Sequence, residues 1–328
     1  MGAVLMLERD NVVVGGGLSG LVAAMRLKGS TLLLSYGMGA TAISTGVLSY
    51  PGLRDLAAEK WLLSLLSNSE CPYVDGKYMT DNGVLREGLV QDSTNIRGSP
   101  VPVIFNAEKP GQASVQFMKG RSLQEIAKVV ETEDKAIDEL IELLKGIDLD
   151  CIAVPPVLGI SRMPEIRNIV SHAIGSTVYE YVTAPSALGL RLVMALKEKA
   201  RDRVDFLDLT KIERIGDGIV EGRMGTKGKR EIRVKAGHLV IATGGLMTGF
   251  RVSGDRLYEP LTRVTVSEDF ESCLDQSFLA RHPLMYAGIG SKPLHTDGFE
   301  RVRAVGATAS GFGLYDALVS GYHAGDPE

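Results

Sequence analysis

Cysteine is scarce in this chain. Cys71, Cys151 and Cys273, the three in 328 residues, form no CxxC pair and stand at no metal-ligand spacing with histidine. That pattern excludes an encoded zinc or iron-sulfur centre, so no metal is expected. An odd, sparse count suits a reducing compartment, and a cytoplasmic location is expected. Basic excess is lacking too: 36 Lys and Arg against 40 Asp and Glu leave a net charge of −4, with 6% aromatics. Without a positive field or stacking surface, nucleic acid is excluded as a partner. No apolar run reaches the roughly 18 to 20 residues that span a bilayer, so no direct membrane insertion is expected. Met1 to Leu7 carries no basic n-region and is too short for a signal core. It reads as an extension ahead of the first strand.

What is present is an ordinary globular composition, 45% hydrophobic and 23% charged, long enough for two cores. Near the start, the β-branched run Asn11-Val12-Val13-Val14 stops at Gly15-Gly16-Gly17-Leu18-Ser19-Gly20, and Leu21 to Leu27 reads as a helix. After a Lys28-Gly29-Ser30 turn comes a second strand, Thr31 to Leu34. Strand, glycine turn, helix and strand form the βαβ unit that holds a dinucleotide pyrophosphate. Gly15 permits the tight turn, Gly17 lets backbone approach the phosphates, and Gly20 allows close helix packing. The helix N-terminus turns its amides toward the anion.

An acidic residue is expected about 20 residues beyond the first glycine, to bind the adenosine ribose. Ser35 stands there instead. No arginine follows at Tyr36, Gly37 or Met38, which disfavours a ribose phosphate. The small, hydroxyl-rich stretch from Gly37 to Gly46, with Thr41 and Thr45, lets backbone approach a bulky planar ligand, as in a flavoprotein.

Helical spacing of apolar residues marks Asp55 to Leu66 and Ser122 to Leu144. The acidic residues Glu131, Glu133, Asp134, Asp138, Glu139 and Glu142 read as a solvated helix face without chemistry. Loops and short strands are expected from Cys71 to Asn106 and from Ile152 to Ile160. Ser186 to Ala200 reads as a helix and Val204 to Leu209 as a strand. Alternation and turn chemistry then give a β-meander at Ile212 to Ile215, Ile219 to Met224 and Ile232 to Val234. It delivers the chain to a further strand from His238, ending in the turn Ala242-Thr243-Gly244-Gly245. Val302 to Val305 reads as the last strand, before Gly306, Gly311 and Gly313 and a helix from Leu314 to Tyr322. The N-terminus of that helix is placed to stabilise negative charge on a reduced flavin ring.

The fold expected is α/β: a Rossmann-like FAD/NAD(P)-binding domain with a β-meander, built from residues 1–70 and 186–328, carrying an inserted α+β substrate or cap domain at 71–185. Its order of parts resembles the two-dinucleotide-binding flavoproteins. Four words narrow the resemblance: Val12 to Leu21; Ser35 with Gly37-Met38-Gly39-Ala40-Thr41; Pro155 to Arg162; and Val178-Tyr179-Glu180 leading to Pro185 through Leu192. Together they are similar to the family formed by the B subunits of anaerobic glycerol-3-phosphate dehydrogenase, in which a serine at the position of Ser35 is at home. The chain is short for that family, and Gly306 to Gly313 is only loosely similar.

The resemblance implies a flavin-bearing subunit that pairs with a larger catalytic flavoprotein subunit and a membrane-associated iron-sulfur subunit. It implies a small phosphorylated polyol as substrate, with electrons passing from glycerol 3-phosphate toward quinone. Any membrane association would then be peripheral, through a partner. The family implies FMN, whereas the fingerprint accommodates FAD, which is the cofactor expected here. Residues expected at the cofactor are Gly15, Gly17, Leu18, Ser19, Gly20, Ser35, Tyr36, Gly37, Thr41, Thr45, Gly46, Ile212, Ala242, Thr243, Gly244, Gly306, Gly311 and Phe312. Direct oxidation of an alcohol needs a base and cations for a phosphate. The residue types that qualify are His172, His282, His295, Arg162, Arg191 and Arg251, foremost His172, Arg162, Arg251 and His295. None of them is assigned a catalytic role by the sequence. Two alternatives stand beside the dehydrogenase: a non-catalytic flavin-binding electron-relay subunit, and a NAD-dependent enzyme using the same turn.

Overall fold

Uninterrupted apolar runs and alternating runs occupy different places in this chain, and the difference builds the fold. The computed structural model describes residues 4–46, 48, 55–67, 78–80, 85–86, 101–106, 113–182, 187–227, 230–245, 249–267, 288–289, 297–309 and 313–326. The chain divides into two units, one of Met1–Ala40, Leu53–Ala58 and Leu196–Glu328, the other of Thr41–Gly52 and Glu59–Ala195.

The N-terminal segment runs β1 (Leu5–Val14), α1 (Leu18–Arg26), β2 (Thr31–Leu34) and α2 (Leu56–Ser67). The middle segment supplies β3 (Tyr78–Thr80), β4 (Leu85–Arg86), β5 (Val101–Phe105), β6 (Ala113–Val115), α3 (Leu123–Thr132), α4 (Asp134–Lys145), β7 (Cys151–Val154), α5 (Met163–Ile174), β8 (Thr177–Val182) and α6 (Ala187–Ala200). Last come β9 (Val204–Leu207), β10 (Thr210–Gly216), β11 (Ile219–Met224), β12 (Arg230–Ile241), β13 (Arg251–Ser253), β14 (Arg256–Tyr258), β15 (Thr265–Ser267), β16 (Arg301–Ala304) and α7 (Leu314–Tyr322).

In the first unit the sheet runs β10-β11-β12-β1-β2-β9, with β16 also paired to β12. Strands β9, β2, β1, β12 and β16 are parallel neighbours, while β10 and β11 join β12 as an antiparallel meander. Val12, Val13 and Leu32 to Leu34 are all buried, because a parallel strand covered on both faces needs apolar residues at every position. The meander needs only one apolar face, so β11 alternates between buried and more exposed residues. Helix α1 lies against α7 in this unit.

Three sequence expectations change here. Residues from Leu5 are not an extension but half of β1, paired in register from Leu5↔Ile232 to Arg9↔Ala236. The strands expected at Ile232 and at His238 are one continuous β12: its first half carries the meander and its second half pairs with β16. Helix α1 begins at Leu18, inside the glycine motif, three residues earlier than the apolar pattern suggests.

In the second unit the sheet runs β4-β3-β8-β7-β5-β6, antiparallel only between β3 and β4. Helices α3, α4 and α5 separate β6, β7 and β8 in sequence, so the strands cross over in the parallel sense. The connectivity is thus α/β, not the α+β expected from its loop-rich composition. A core of Ile126, Val130, Leu140, Ile152, Val154, Leu158, Ile166 and Val178 lies between helices and sheet. The helical pattern at 122–144 is two helices meeting at Glu133, the first opened by a capping box of Ser122 and Glu125. Helix α5 is absent from the sequence expectations, although Pro164 sits at its first turn.

One buried ion pair and one partly exposed carboxylate fix the loop after β7. The guanidinium of Arg191 and the carboxylate of Glu180, 0% and 2% exposed, form a two-pronged pair, and Arg191 Nε donates to the carbonyl of Gly159 at 2.8 Å. Glu131 accepts from the backbone of Ile160 and Ser161. It is a structural ligand of that loop, not a residue of a solvated face. Cys151 is buried, and burial followed by Asp150 raises its thiol pKa, which fits a small apolar filler. Cys71 and Cys273 lie outside the described residues.

Candidate functional site

The parallel strands of the first unit end in one row. Val14 pairs with Leu34 on one side and Ile241 on the other, Leu34 pairs with Leu207, and Ile241 pairs with Ala304. One residue further along stand Asp208, Ser35, Gly15, Ala242 and Val305. Backbone bonds carry the row past the strand ends: Gly15 N–H to Leu34 at 2.9 Å, Ser35 N–H to Leu207 at 3.1 Å, Ala242 N–H to Val14 at 2.8 Å and Val305 N–H to Ile241 at 3.0 Å. Strand β1 leads through α1 to β2 on one side, and β12 lies on its other side, so the strand order reverses at Gly15 and Ala242. Open α/β sheets bind ligands at such a reversal of strand order.

Close backbone approach explains the glycines. Gly15 has φ +126°, and a Cβ there would overlap the carbonyl oxygen of Ala242. A Cβ on Gly20 would overlap the carbonyl oxygen of Gly15, so α1 can begin hard against the turn only with glycine there. Gly17 is the N-cap of α1, so the N-cap itself offers no capping side chain, and the first turn holds no acidic residue. First-turn amides lack carbonyl partners within their own helix, and the macrodipole favours an anion beside them. A pyrophosphate fits this end. Leu18 and Ser19 are buried in that first turn, with Ser19 against Gly306 and Gly321.

Ser35 is 3% exposed, beside Gly16, and its hydroxyl donates to Asp208 Oδ1 at 2.6 Å. Lys197 Nζ donates to the same oxygen at 2.7 Å. Burial raises the Asp208 carboxyl pKa, but the bonds from Lys197 and Ser35 outweigh it, so the net shift is downward and the group is ionised. Sequence reading passes over Asp208 because nothing local marks it. Tyr36 is exposed, and Gly37 has open space where a side chain would stand. Ile212 lies on β10, opposite Gly222.

The second glycine turn is tied down by Thr308 and Glu259, which the sequence does not single out. Thr308, fully buried, accepts from Gly244 N–H at 2.9 Å and donates to the Gly244 carbonyl at 3.2 Å. The Thr243 hydroxyl donates to Glu259 at 3.3 Å, and Glu259 in turn accepts from the backbone of Leu261 and Thr262. Gly306 N–H donates to Ser320 Oγ at 2.7 Å, which joins the turn after β16 to α7.

Thr41, Thr45 and Gly46 belong to the second unit. There the Thr41 carbonyl accepts from Ser44, and Gly46 and Gly189 pack where α6 and the 41–46 segment meet. Gly311, Phe312, His282 and His295 lie outside the described residues. Arg162 is bound to Glu165 and to the Glu131 carbonyl, and Arg191 is consumed by Glu180. Arg251 is exposed on β13. His172 lines an open cleft of the second unit with Asp150, Arg167 and Ser171. Among the described residues, no group of His, Cys, Asp and Glu could hold a metal ion, and no helix is long and apolar enough to cross a membrane.

No family model matches the chain. Among curated proteins, the B subunit of anaerobic glycerol-3-phosphate dehydrogenase from Pectobacterium atrosepticum is 31% identical over 215 residues, covering 60% of this chain and 47% of the relative. The probable B subunit of the same enzyme from Halobacterium salinarum is 28% identical over 199 residues, covering 54% and 47%. Among solved structures, Mycobacterium smegmatis Sdh1 in complex with UQ1 matches 74% of this chain and 35% of its own at 14% identity and a TM-score of 0.30. An E. coli quinol fumarate reductase FrdA variant matches 74% and 33% at 12% identity and 0.29. Likeness at those scores carries no weight for function. By sequence the chain is similar to the B subunits of anaerobic glycerol-3-phosphate dehydrogenase, and it spans about half the length of the curated relatives it matches.

Proposed function

We propose that this chain is a flavin-binding component of an anaerobic glycerol-3-phosphate dehydrogenase, of the B-subunit type, with FAD as its cofactor. On this reading it works beside a larger catalytic flavoprotein subunit and a membrane-associated iron-sulfur subunit, passing electrons from glycerol 3-phosphate toward quinone. It would be cytoplasmic and reach the membrane through those partners. The observation that carries the reading is the start of α1 at Gly17, a glycine N-cap directly behind Gly15, at the reversal of strand order beside Ala242.

A bound flavin supplies the ring that accepts a hydride or electrons. The rest falls to the chain. Amides of the first turn of α1 meet the pyrophosphate charge, while Gly17 lets backbone approach it. The turn at Ala242 to Gly244, held by Thr308, is proposed to border the cofactor on the β12 side of that helix start. Gly306, at the turn after β16, is proposed to border the remainder of the cofactor. Residues 71–185 are proposed to form the substrate or cap domain.

One observation favours the relay reading over direct turnover: Arg162 and Arg191 are spent on structural ion pairs. Release of the cofactor from protein purified out of its native host, followed by chromatography and mass measurement, tests the flavin. FAD is expected, and a colourless protein that neither FAD nor FMN reconstitutes would sink the reading. Dye reduction with glycerol 3-phosphate by the isolated chain would exclude the pure relay, whereas activity only with partner subunits would support it.

A further inference from the structure

The fingerprint lacks its ribose-binding carboxylate on β2, yet a carboxylate stands beside the same position. It arrives from β9, which pairs with β2 in parallel register up to Leu34↔Leu207. The next residue on each strand is Ser35 and Asp208, and they meet at 2.6 Å. The carboxylate therefore occupies the region that a longer acidic side chain on β2 would reach.

We propose that Asp208 is the residue that binds the adenosine ribose of the cofactor, with Ser35 and Lys197 holding its carboxylate in place, and that it sets a preference for FAD over FMN. The proposal rests on the flavin reading above and names the subsite within it. Chemistry supports the assignment at each group. An ionised carboxylate only accepts hydrogen bonds, so it matches the donating hydroxyls of a ribose. Ser35 and Lys197 both bond Oδ1, and no other protein partner of Oδ2 is found among the described residues. The Asp208 side chain is 54% exposed, so a ligand can reach it, whereas Lys197 is only 16% exposed and bonds Oδ1. Ser35 spends its one proton on Asp208, which leaves it a positioning residue.

FMN carries no adenosine, so the subsite acts on one of the two flavins alone. Strands lie about 4.8 Å apart, which puts the backbone of Asp208 about 10 Å along the row from Gly15. The Ser35 bond shows the carboxylate reaching back over that gap toward the glycine turn. The ribose lies between phosphate and adenine, so a carboxylate to one side of the phosphate cradle suits it.

The test uses the full chain freed of flavin and titrated by flavin fluorescence with FAD, FMN and an FAD analogue whose adenosine lacks the 2′-hydroxyl. A hydrogen bond to a charged group is worth roughly 10- to 100-fold in affinity. FAD should therefore bind the wild-type protein at least tenfold more tightly than the deoxy analogue and than FMN. Asp208→Asn should weaken FAD about tenfold, leave FMN unchanged and no longer distinguish FAD from the analogue. Equal binding of FAD and the analogue by the wild-type protein overturns the assignment without relying on a variant. Undiminished FAD binding by Asp208→Asn overturns it too, and in both cases the flavin reading survives. Absence of any flavin binding by the wild-type chain overturns both.

Discussion

The carbonyl of Ala242 occupies the space that a side chain on Gly15 would need. Two parallel strands, β1 and β12, thus meet at their ends with no atom to spare. Gly15→Ala must push them apart and also hold alanine at φ +126°, a region in which side chains are strained. The variant should lose roughly 3 kcal/mol or more of stability, through the two mechanisms that give large losses, backbone strain and overpacking. Urea unfolding checks this, and a loss under 1 kcal/mol would contradict the packing described.

Removing one partner of the Arg191–Glu180 pair leaves a buried charge alone. Arg191→Met should cost about 3 to 5 kcal/mol, while replacing both partners by apolar residues of similar volume should cost much less. Parallel denaturation of the single and double variants decides it. Equal losses in the two would show that Arg191 acts through its contact with Gly159 and not through the charge pair.

Thr308→Val removes the hydroxyl that both accepts from and donates to Gly244, while keeping the side chain's shape. A loss of about 1 to 3 kcal/mol is expected from the buried polar groups left unpaired. Flavin affinity should fall with it, since the second glycine turn loses its anchor. Unfolding curves and flavin titration of the same variant check the two effects separately.

His323 lies between two carboxylates, 2.6 Å from Asp55 and 2.5 Å from Asp326, and Arg26 also contacts Asp326. Hydrogen bonds that its ring donates to Asp55 and then to Asp326 raise its pKa above 6.5. The stabilisation is therefore full below about 6.5 and is lost as pH rises through the higher folded value. The pKa of Asp55 and that of Asp326 lie below 3.8, so their share is present above about 3.8 and is lost on acidification through those lower values. Stability of the link between the start of α2 and the C-terminal segment should peak between these limits. His323→Gln should flatten the alkaline arm, as melting temperatures measured from pH 5 to 9 would reveal; an unchanged slope would rule the link out.

How much of this is legible in sequence depends on how local each cause is. Gly15, Gly17 and Gly20 can be read because a turn against a helix start leaves its mark within six residues. Ser35 looks like a gap because strands are read one at a time, and its partner Asp208 lies 173 positions away on a strand that pairs only in the fold. Glu131 looks solvated for the same reason: its partners Ile160 and Ser161 belong to another element. Helix α5 escapes notice because Gly159 and Pro164 read as loop punctuation, though proline at a first helical turn is equally a start signal. The leading half of β1 escapes because Glu8 and Asp10, on its more exposed face, and Arg9, on the other, interrupt its apolar residues.

Strand β12 serves two masters along its length: an antiparallel meander on its first half and β16 on its second, with β1 along its other side throughout. It works as a ruler. Because side chains alternate along a strand, one residue added near Gly237 would invert the facing of every residue on one side of the insertion relative to the other. The turn at Ala242 could then meet Gly15 only if the meander gave up its own pairing. The length of a strand remote from any chemistry is in this way as tightly specified as the glycines it delivers.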